Sequence, residues 1–198
     1  DKGRMFNHPN GPFLLSSIIP DNYTIGYETA AQLVKSGESM PSHSAQILLL
    51  SGNKNTPASN QRELGARQLI TLHGKTQLLQ VVYANWNEQL AYEKSKLLLQ
   101  RYEQLCYIWA ANDQMAFGAR LALFERGVRV PEDVSLVGFD DLYFSRYTTP
   151  PLTTVHHSAQ ELGRLASKSL LALVAGESVG HHLIETEFVV RQSSATRQ

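Results

Sequence analysis

Residues 107–139 read YIWAANDQMAFGARLALFERGVRVPEDVSLVGF, and this stretch decides the fold class. It opens on the apolar run YIWA and closes on the apolar run VSLVGF. Between them the pattern is helical over residues 114–126, with Asn112 and Asp113 placed to cap the helix and Gly127 placed to end it. A strand, a helix and a second strand in this order predict a β-α-β unit with parallel strands.

The same alternation extends in both directions along the chain. We predict further strands at residues 14–19, 47–50, 76–83, 153–155 and 184–191, the last as an edge strand. We predict further helices from Tyr23 with Asn22 as N-cap, from Ser59 or Asn60 to 72, over 87–102, and from a Ser158 cap to 174. Repeated strand–helix pairs are typical of an α/β fold with a doubly wound parallel sheet. Ligands bind to such sheets outside the carboxyl ends of the strands.

Composition narrows the class of protein. The chain has 198 residues, 42% of them hydrophobic, and its 18 basic residues balance its 18 acidic ones. A neutral chain has no general attraction for nucleic acid or membrane, so we expect any DNA contact to come from a domain absent from this chain. The single cysteine, Cys106, excludes an intramolecular disulfide. No apolar run approaches the roughly 18 residues of a membrane span, and no signal peptide is visible. Because the chain begins on Asp1, we expect it to be a piece of a longer protein.

Polar side chains follow four of the predicted strands. They are Asn53, Asn55 and, at the next helix, Arg62; then Asn85 and Trp86; then Asn112, Asp113 and Gln114; and finally Asp140 and Asp141. Short hydrogen-bonding side chains with one arginine and one tryptophan suit a sugar, because hydroxyl groups take hydrogen bonds and the apolar face of a pyranose stacks on indole. The planar guanidinium adds donors in a fixed geometry.

Each of these residues also has a purely structural interpretation. Asn112 or Asp113 could serve only as an N-cap. Asp140 and Asp141 could be turn residues, and Trp86 could anchor a loop. Arg62 could lie on the surface, paired with Glu63 or Glu28. Their shared position at one edge of the sheet is what favours the binding site.

Enzymatic and metal-dependent functions have little support in the sequence. The G-x-S-x-G, P-loop and G-x-G-x-x-G motifs are missing. The pairs His156-His157 and His181-His182 are adjacent in sequence, so their side chains diverge on a strand and do not converge on a metal. We therefore expect a protein that is not an enzyme and that uses no cofactor or metal.

Several motifs resemble the lactose-repressor and galactose-repressor family. They are WAANDQMAFGA at 109–119, GVRVPEDVSLVGFDD at 127–141, PPLTTV at 150–155, ELG at 161–163 and FVVRQSS at 188–194. The resemblance implies an effector-binding domain with the type I periplasmic-binding-protein-like fold. It implies a complete C-terminal lobe at residues 20–154 and 183–198, and remnants of a partial N-terminal lobe at 1–19 and 155–182. It places effector contacts on Arg62, Trp86, Asn112, Asp140 and His157.

The resemblance also implies a function. We expect the effector-sensing domain of a cytoplasmic transcriptional regulator that binds a sugar or a related small polar metabolite in a cleft between lobes. We expect a homodimer that reaches DNA through another domain and makes no direct membrane contact. Residues 20–23, 51–59 and 80–86 look similar to sugar-binding components of ABC transporters, so a periplasmic transport receptor is the alternative, as is the sensing domain of a membrane receptor.

Overall fold

The computed structural model describes residues 16–36 and 45–194 of the chain. The chain divides into two compact units. The larger unit comprises Asn22–His156 and Glu187–Gln198, and the smaller unit comprises Asp1–Asp21 and His157–Thr186. The predicted strand at residues 14–19 lies partly outside the described residues, as do residues 1–15 of the predicted N-terminal lobe.

The described residues contain eight strands and five α-helices. The strands are β1 (Ile18–Pro20), β2 (Ala45–Ser51), β3 (Thr76–Tyr83), β4 (Leu105–Ala110), β5 (Ser135–Val137), β6 (Thr154–His157), β7 (His182–Ile184) and β8 (Thr186–Val189). The helices are α1 (Asn22–Ser36), α2 (Pro57–His73), α3 (Glu88–Arg101), α4 (Asp113–Glu125) and α5 (Ala159–Val174). Two 3-10 helices, Tyr143–Arg146 and Gln192–Ser194, complete the set.

A four-stranded parallel sheet in the order β3-β2-β4-β5 forms the centre of the larger unit. The connection from β2 leads to one side of the sheet and the connection from β4 leads to the other. The order therefore reverses between β2 and β4, and a crevice opens at the carboxyl ends of these two strands. Helices α1 and α2 pack together, as do α3 and α4, which is the doubly wound arrangement that the sequence predicted.

The core consists of apolar side chains of the central strands, which are buried because helices cover the sheet. Leu48, Leu49 and Ile108 are fully buried, as expected of parallel strands that face helices on both sides. Trp109 is also buried, and its indole Nε1 donates a hydrogen bond of 2.7 Å to Thr29 Oγ1 in α1. This bond satisfies the polar atom of a buried tryptophan and attaches α1 to the sheet.

The helix caps follow the sequence closely. The side chain of Asn112 accepts a hydrogen bond from the backbone N–H of Met115, and that of Ser158 accepts one from Glu161, so both predicted N-caps are confirmed. Helix α2 begins at Pro57, before the predicted Ser59 or Asn60. Proline suits the first helical turn because its fixed φ is helical and its missing N–H would have no partner there.

The predicted edge strand over residues 184–191 is shorter in the structure, where β8 covers Thr186–Val189 and pairs with β6 in a two-stranded sheet. Ile184 is instead the last residue of β7, which pairs with β1 in parallel. Strand β7 belongs to the smaller unit and β8 lies almost entirely in the larger one, so the chain passes between units here. An alternating pattern does not reveal such a change of partner.

The smaller unit contains β1, β7 and the amphipathic helix α5. Within the described residues Ser169 is the only buried residue of α5, while Leu170, Leu171 and Val174 are 62%, 70% and 79% exposed. A helix that leaves large apolar side chains exposed is typical of a surface that another element covers.

Candidate functional site

Arg62 lies at the crevice between β2 and β4. It projects from α2, and only 7% of its surface is exposed. Its Nε donates a hydrogen bond of 2.8 Å to Asn22 Oδ1, and its Nη1 donates one of 2.6 Å to the backbone oxygen of Ala111, just beyond β4. The alternative in which Arg62 is a surface residue is therefore wrong. Glu63, one of its suggested partners, pairs with Arg67 at 2.8 Å.

Two aromatic rings flank the Arg62 guanidinium. Its central carbon lies 3.4 Å from the ring centroid of Phe139 and 5.6 Å from that of Trp86. The negative face of an aromatic ring attracts a cation, and the flat guanidinium stacks on it with little loss of hydration. Trp86 lies directly against Gly52 at the end of β2, where an added Cβ would come within 2.2 Å of the indole. The glycine thus makes room for the indole at this edge.

Burial and nearby carboxylates act in opposite directions on the Arg62 guanidinium. Removal from water lowers its pKa to about 10, while the charges of Asp140 and Asp113 raise the pKa and offset part of that effect. Arg62 therefore stays protonated at neutral pH, and Asp140 supplies a compensating negative charge close by.

Backbone strain is concentrated at the same edge. Among the described residues, the non-glycine residues with φ in the left-handed region are Asn85 (52°), Trp86 (62°), Asp140 (119°) and Asp141 (47°). All four follow the carboxyl end of a strand of the sheet. Such conformations cost roughly 1–3 kcal/mol each and tend to persist where function requires them. The strain favours a binding site over two ordinary loops.

The two neighbouring aspartates have different roles. The Asp141 side chain is buried and its carboxylate accepts from Arg191 Nη2 at 2.6 Å and contacts His156 Nδ1 at 3.1 Å. Asp140 is partly exposed, and its backbone N–H bonds the carbonyl oxygen of Val155. Asp141 therefore holds loops together, whereas Asp140 is the carboxylate electrostatically coupled to Arg62.

Asp113 is a structural residue. Its side chain is fully buried and accepts hydrogen bonds from Ser145 Oγ, Thr154 Oγ1 and the Leu142 N–H, at 2.5, 2.6 and 2.9 Å. Burial raises the pKa of the carboxyl, and the three donors partly offset the rise. Because a fully buried carboxylate has no surface to offer, Asp113 supports the site from behind.

The structure also locates the other predicted ligand contacts, and within the described residues no hydrogen bond from Arg62 to the asparagines among them is found. Asn112 is 6% exposed and uses its carbonyl oxygen as the cap of α4, so its Nδ2 is the group that would donate to a ligand. Asn53 accepts from the N–H of Asn55 in the loop after β2, and Asn55 is exposed. His157 ends β6 and belongs to the smaller unit.

Sequence reasoning missed two members of the site, Asn22 and Phe139. Asn22 was predicted to be an N-cap, but it lies within α1 and its side chain accepts from Arg62. The sequence pattern places Phe139 at the end of the strand over residues 134–139, and its position next to Asp140 is the signal that could have identified it.

In the part of the chain that the structure describes, no three His, Cys, Asp or Glu side chains gather as metal ligands. No described helix could cross a membrane.

The segment that contains Arg62, Trp86, Phe139 and Asp140 matches one known protein family. Residues 41–194 match the family described as periplasmic binding protein-like domain. The chain belongs to this family. Its members that resemble this chain include the lactose-repressor type, which confirms the resemblance and the fold class predicted from the motifs.

One curated relative and two solved structures illustrate this membership of the periplasmic binding protein-like family. The probable HTH-type transcriptional repressor ExuR of Bacillus subtilis (strain 168) is 30% identical over 182 residues, which are 90% of this chain and 53% of that protein. The lac repressor dimer bound to operator and the anti-inducer ONPF is 29% identical with a TM-score of 0.79, over 90% of this chain and 52% of that one. The CelR–cellobiose complex is 27% identical with a TM-score of 0.81, over 92% and 55%.

The chain spans about half the length of the curated relatives that it matches. These relatives are transcriptional regulators and not enzymes.

Proposed function

We propose that this chain is the effector-binding part of a LacI-type transcriptional regulator and that it senses a sugar or a related small polar metabolite. The observation that carries the proposal is the placement of Arg62 at the crevice between β2 and β4, with its guanidinium carbon 3.4 Å from the ring centroid of Phe139 and 5.6 Å from that of Trp86. Relatives named as HTH-type regulators favour this function over a transport receptor or a membrane receptor.

The chemistry of the site suits a polyhydroxylated ligand. Arg62 and Asn112 supply donors, Asp140 supplies an acceptor, and Trp86 supplies an apolar surface for the face of a pyranose ring. Each sugar hydroxyl both donates and accepts, so a mixed set of polar groups can satisfy several of them at once. Asn53, Asn55 and His157 are further proposed contacts.

The proposal assigns the two units to two lobes. We assign residues 20–154 and 183–198 to the C-terminal lobe, and residues 1–19 and 155–182 to part of the N-terminal lobe. The two units of the structure divide close to these bounds, after Asp21, His156 and Thr186. The exposed apolar residues of α5 support the second assignment, since the rest of that lobe would cover them. A ligand that binds the open and closed arrangements of two lobes unequally shifts their equilibrium, and this is how binding would be transmitted.

The partners and location follow from the same proposal. We infer a cytoplasmic homodimer that binds DNA through a domain outside this chain, and that has no catalytic activity. An exposed aromatic patch formed by Tyr143, Phe144 and Tyr147, 66%, 67% and 63% exposed, supports a protein–protein contact. Aromatic side chains are enriched in the centres of such interfaces.

Titration of the full-length protein with mono- and disaccharides, including neutral hexoses and their hexuronates, tests the proposal. Each sugar is added at 25 °C while heat of binding is measured, and operator DNA binding is followed in parallel. We expect one sugar to bind with micromolar affinity and to change the affinity for DNA. If no sugar binds, or if binding leaves DNA affinity unchanged, the proposed function is wrong.

A further inference from the structure

Arg62 has three nitrogen atoms, and the protein engages two of them. Nε donates to Asn22 Oδ1 at 2.8 Å and Nη1 donates to the Ala111 oxygen at 2.6 Å. Within the described residues no hydrogen bond from Nη2 is found. The Phe139 ring, whose centroid lies 3.4 Å from the guanidinium carbon, restricts tilting of the guanidinium plane. Nη2 is therefore the nitrogen whose two N–H groups are both left for a ligand, whereas Nη1 keeps one.

Close packing of two helices brings Asn22 against the guanidinium. Asn22 is the first residue of α1 and is 6% exposed. One turn later, an added Cβ on Gly26 would lie 2.0 Å from the backbone oxygen of Arg62 in α2. The backbones of α1 and α2 therefore touch at this point, and the contact sets the Asn22 side chain within reach of Nε.

The position of Asn22 determines which ligand groups Arg62 can bind. An arginine takes a carboxylate best through two parallel N–H bonds, and the side-on pair consists of Nε and Nη2. Because Asn22 occupies Nε, this pair is closed. The end-on pair of Nη1 and Nη2 is reduced as well, since the Ala111 oxygen already takes one of the two N–H groups of Nη1. The N–H groups of Nη2 suit a hydroxyl oxygen, and the nearby Asp140 carboxylate would repel an anion.

We propose that Asn22 is a positioning residue that closes the side-on edge of Arg62, so that this wall of the site selects an uncharged hydroxyl over a carboxylate. This inference rests on the proposed function and adds the class of ligand, a neutral sugar in preference to a sugar acid. Asn22 acts through Arg62 and makes no ligand contact of its own.

The test compares a hexose with its uronic acid on the full-length protein, by titration calorimetry. The pair used is the neutral sugar that binds wild type best and the corresponding hexuronate. Wild type should bind the neutral sugar at least about tenfold more tightly, since the uronate gains no paired hydrogen bond and meets Asp140. Asn22→Ala should weaken binding of the neutral sugar about tenfold and reduce the discrimination to about threefold or less, because Nε becomes available.

Two further variants separate positioning from simple structural damage. Asn22→Asp keeps an oxygen that accepts from Nε and adds a negative charge. It should therefore keep neutral-sugar affinity within about threefold of wild type and discriminate more strongly against the uronate. Asn60→Ala, an exposed asparagine on α2, is the matched control and should change neither affinity. A merely structural role for Asn22 would lower both affinities together and would leave their ratio unchanged.

The outcomes distinguish this inference from the function on which it rests. If no neutral sugar or uronate binds wild type, the proposed function is wrong and the inference falls with it. If sugars bind but wild type prefers the uronate, or Asn22→Ala keeps the wild-type ratio, the inference alone is overturned.

Discussion

The backbone oxygen of Ala111 accepts a hydrogen bond of 2.6 Å from Nη1 of Arg62, a residue 49 positions earlier in the chain. This bond connects helix α2 to the end of β4 and spans the point where the strand order reverses. It places a cation at the position where a doubly wound sheet binds its ligand. The same bond therefore serves both the stability of the unit and the geometry of the site.

Arg62→Lys tests this double role. A lysine cannot make both hydrogen bonds and stack between two rings, so ligand affinity should fall about 100-fold and the free energy of unfolding by about 1–3 kcal/mol. Titration calorimetry and urea unfolding of the full-length protein measure the two effects. Arg67→Lys is the control: the Arg67 side chain is 45% exposed and the substitution keeps the positive charge beside Glu63, so it should cost less than about 1 kcal/mol. Wild-type affinity in Arg62→Lys would exclude Arg62 from the site.

Gly26→Ala tests the helix contact beneath the site. The new Cβ would lie 2.0 Å from the Arg62 oxygen, so α1 and α2 must separate, and we expect destabilisation of about 2–4 kcal/mol. Gly163→Ala in α5 is the matched control, because no atom lies within 4 Å of its added Cβ. That substitution should stabilise the protein by up to about 1 kcal/mol, through higher helix propensity. Equal effects of the two substitutions in urea unfolding would contradict the close packing.

Arg191→Met tests the structural role assigned to Asp141. The substitution removes the 2.6 Å partner of a buried carboxylate, and should reduce the free energy of unfolding by about 3–5 kcal/mol. Ligand affinity of the folded fraction should stay within about threefold of wild type. Arg164→Met, which breaks an exposed pair with Glu161, should change stability by less than about 1 kcal/mol. A large loss of affinity with little loss of stability would instead place the Asp141–Arg191 pair in the site.

Asp113 makes a prediction about pH. Burial raises its folded-state pKa above the ordinary value of 3.8, so at pH values between the two the folded protein binds more protons than the unfolded chain. The contribution of this group to stability therefore decreases as pH rises through that interval. Unfolding of wild type and Asp113→Asn is measured at several pH values from 4 to 7. The stability of wild type relative to the variant should increase toward low pH, and a difference that increases toward high pH would show that the pKa is lowered.

The sequence was sufficient for the architecture and for the edge that carries the site. Apolar runs alternating with capped helices imply parallel strands, and the residues after parallel strands meet at one edge, so Arg62, Trp86 and Asp140 could be selected without coordinates. The cap of α4 by Asn112 was also predictable, because capping depends on residues close in sequence.

Long-range contacts account for what the sequence did not show. Asn22 and Arg62 are 40 residues apart, and an asparagine before a helical pattern is ordinarily an N-cap. Only the close approach of α1 to α2 redirects its side chain. Likewise, nothing local in residues 184–191 shows that β7 and β8 pair with strands of different sheets.

A crystal structure of the full-length protein with its bound effector tests the central claim most directly. The account predicts a sugar hydroxyl within about 3 Å of Arg62 Nη2, another accepted by the Asp140 carboxylate, and a ring face against Trp86. An effector bound elsewhere, with Arg62 still bonded only to Asn22 and Ala111, would contradict it.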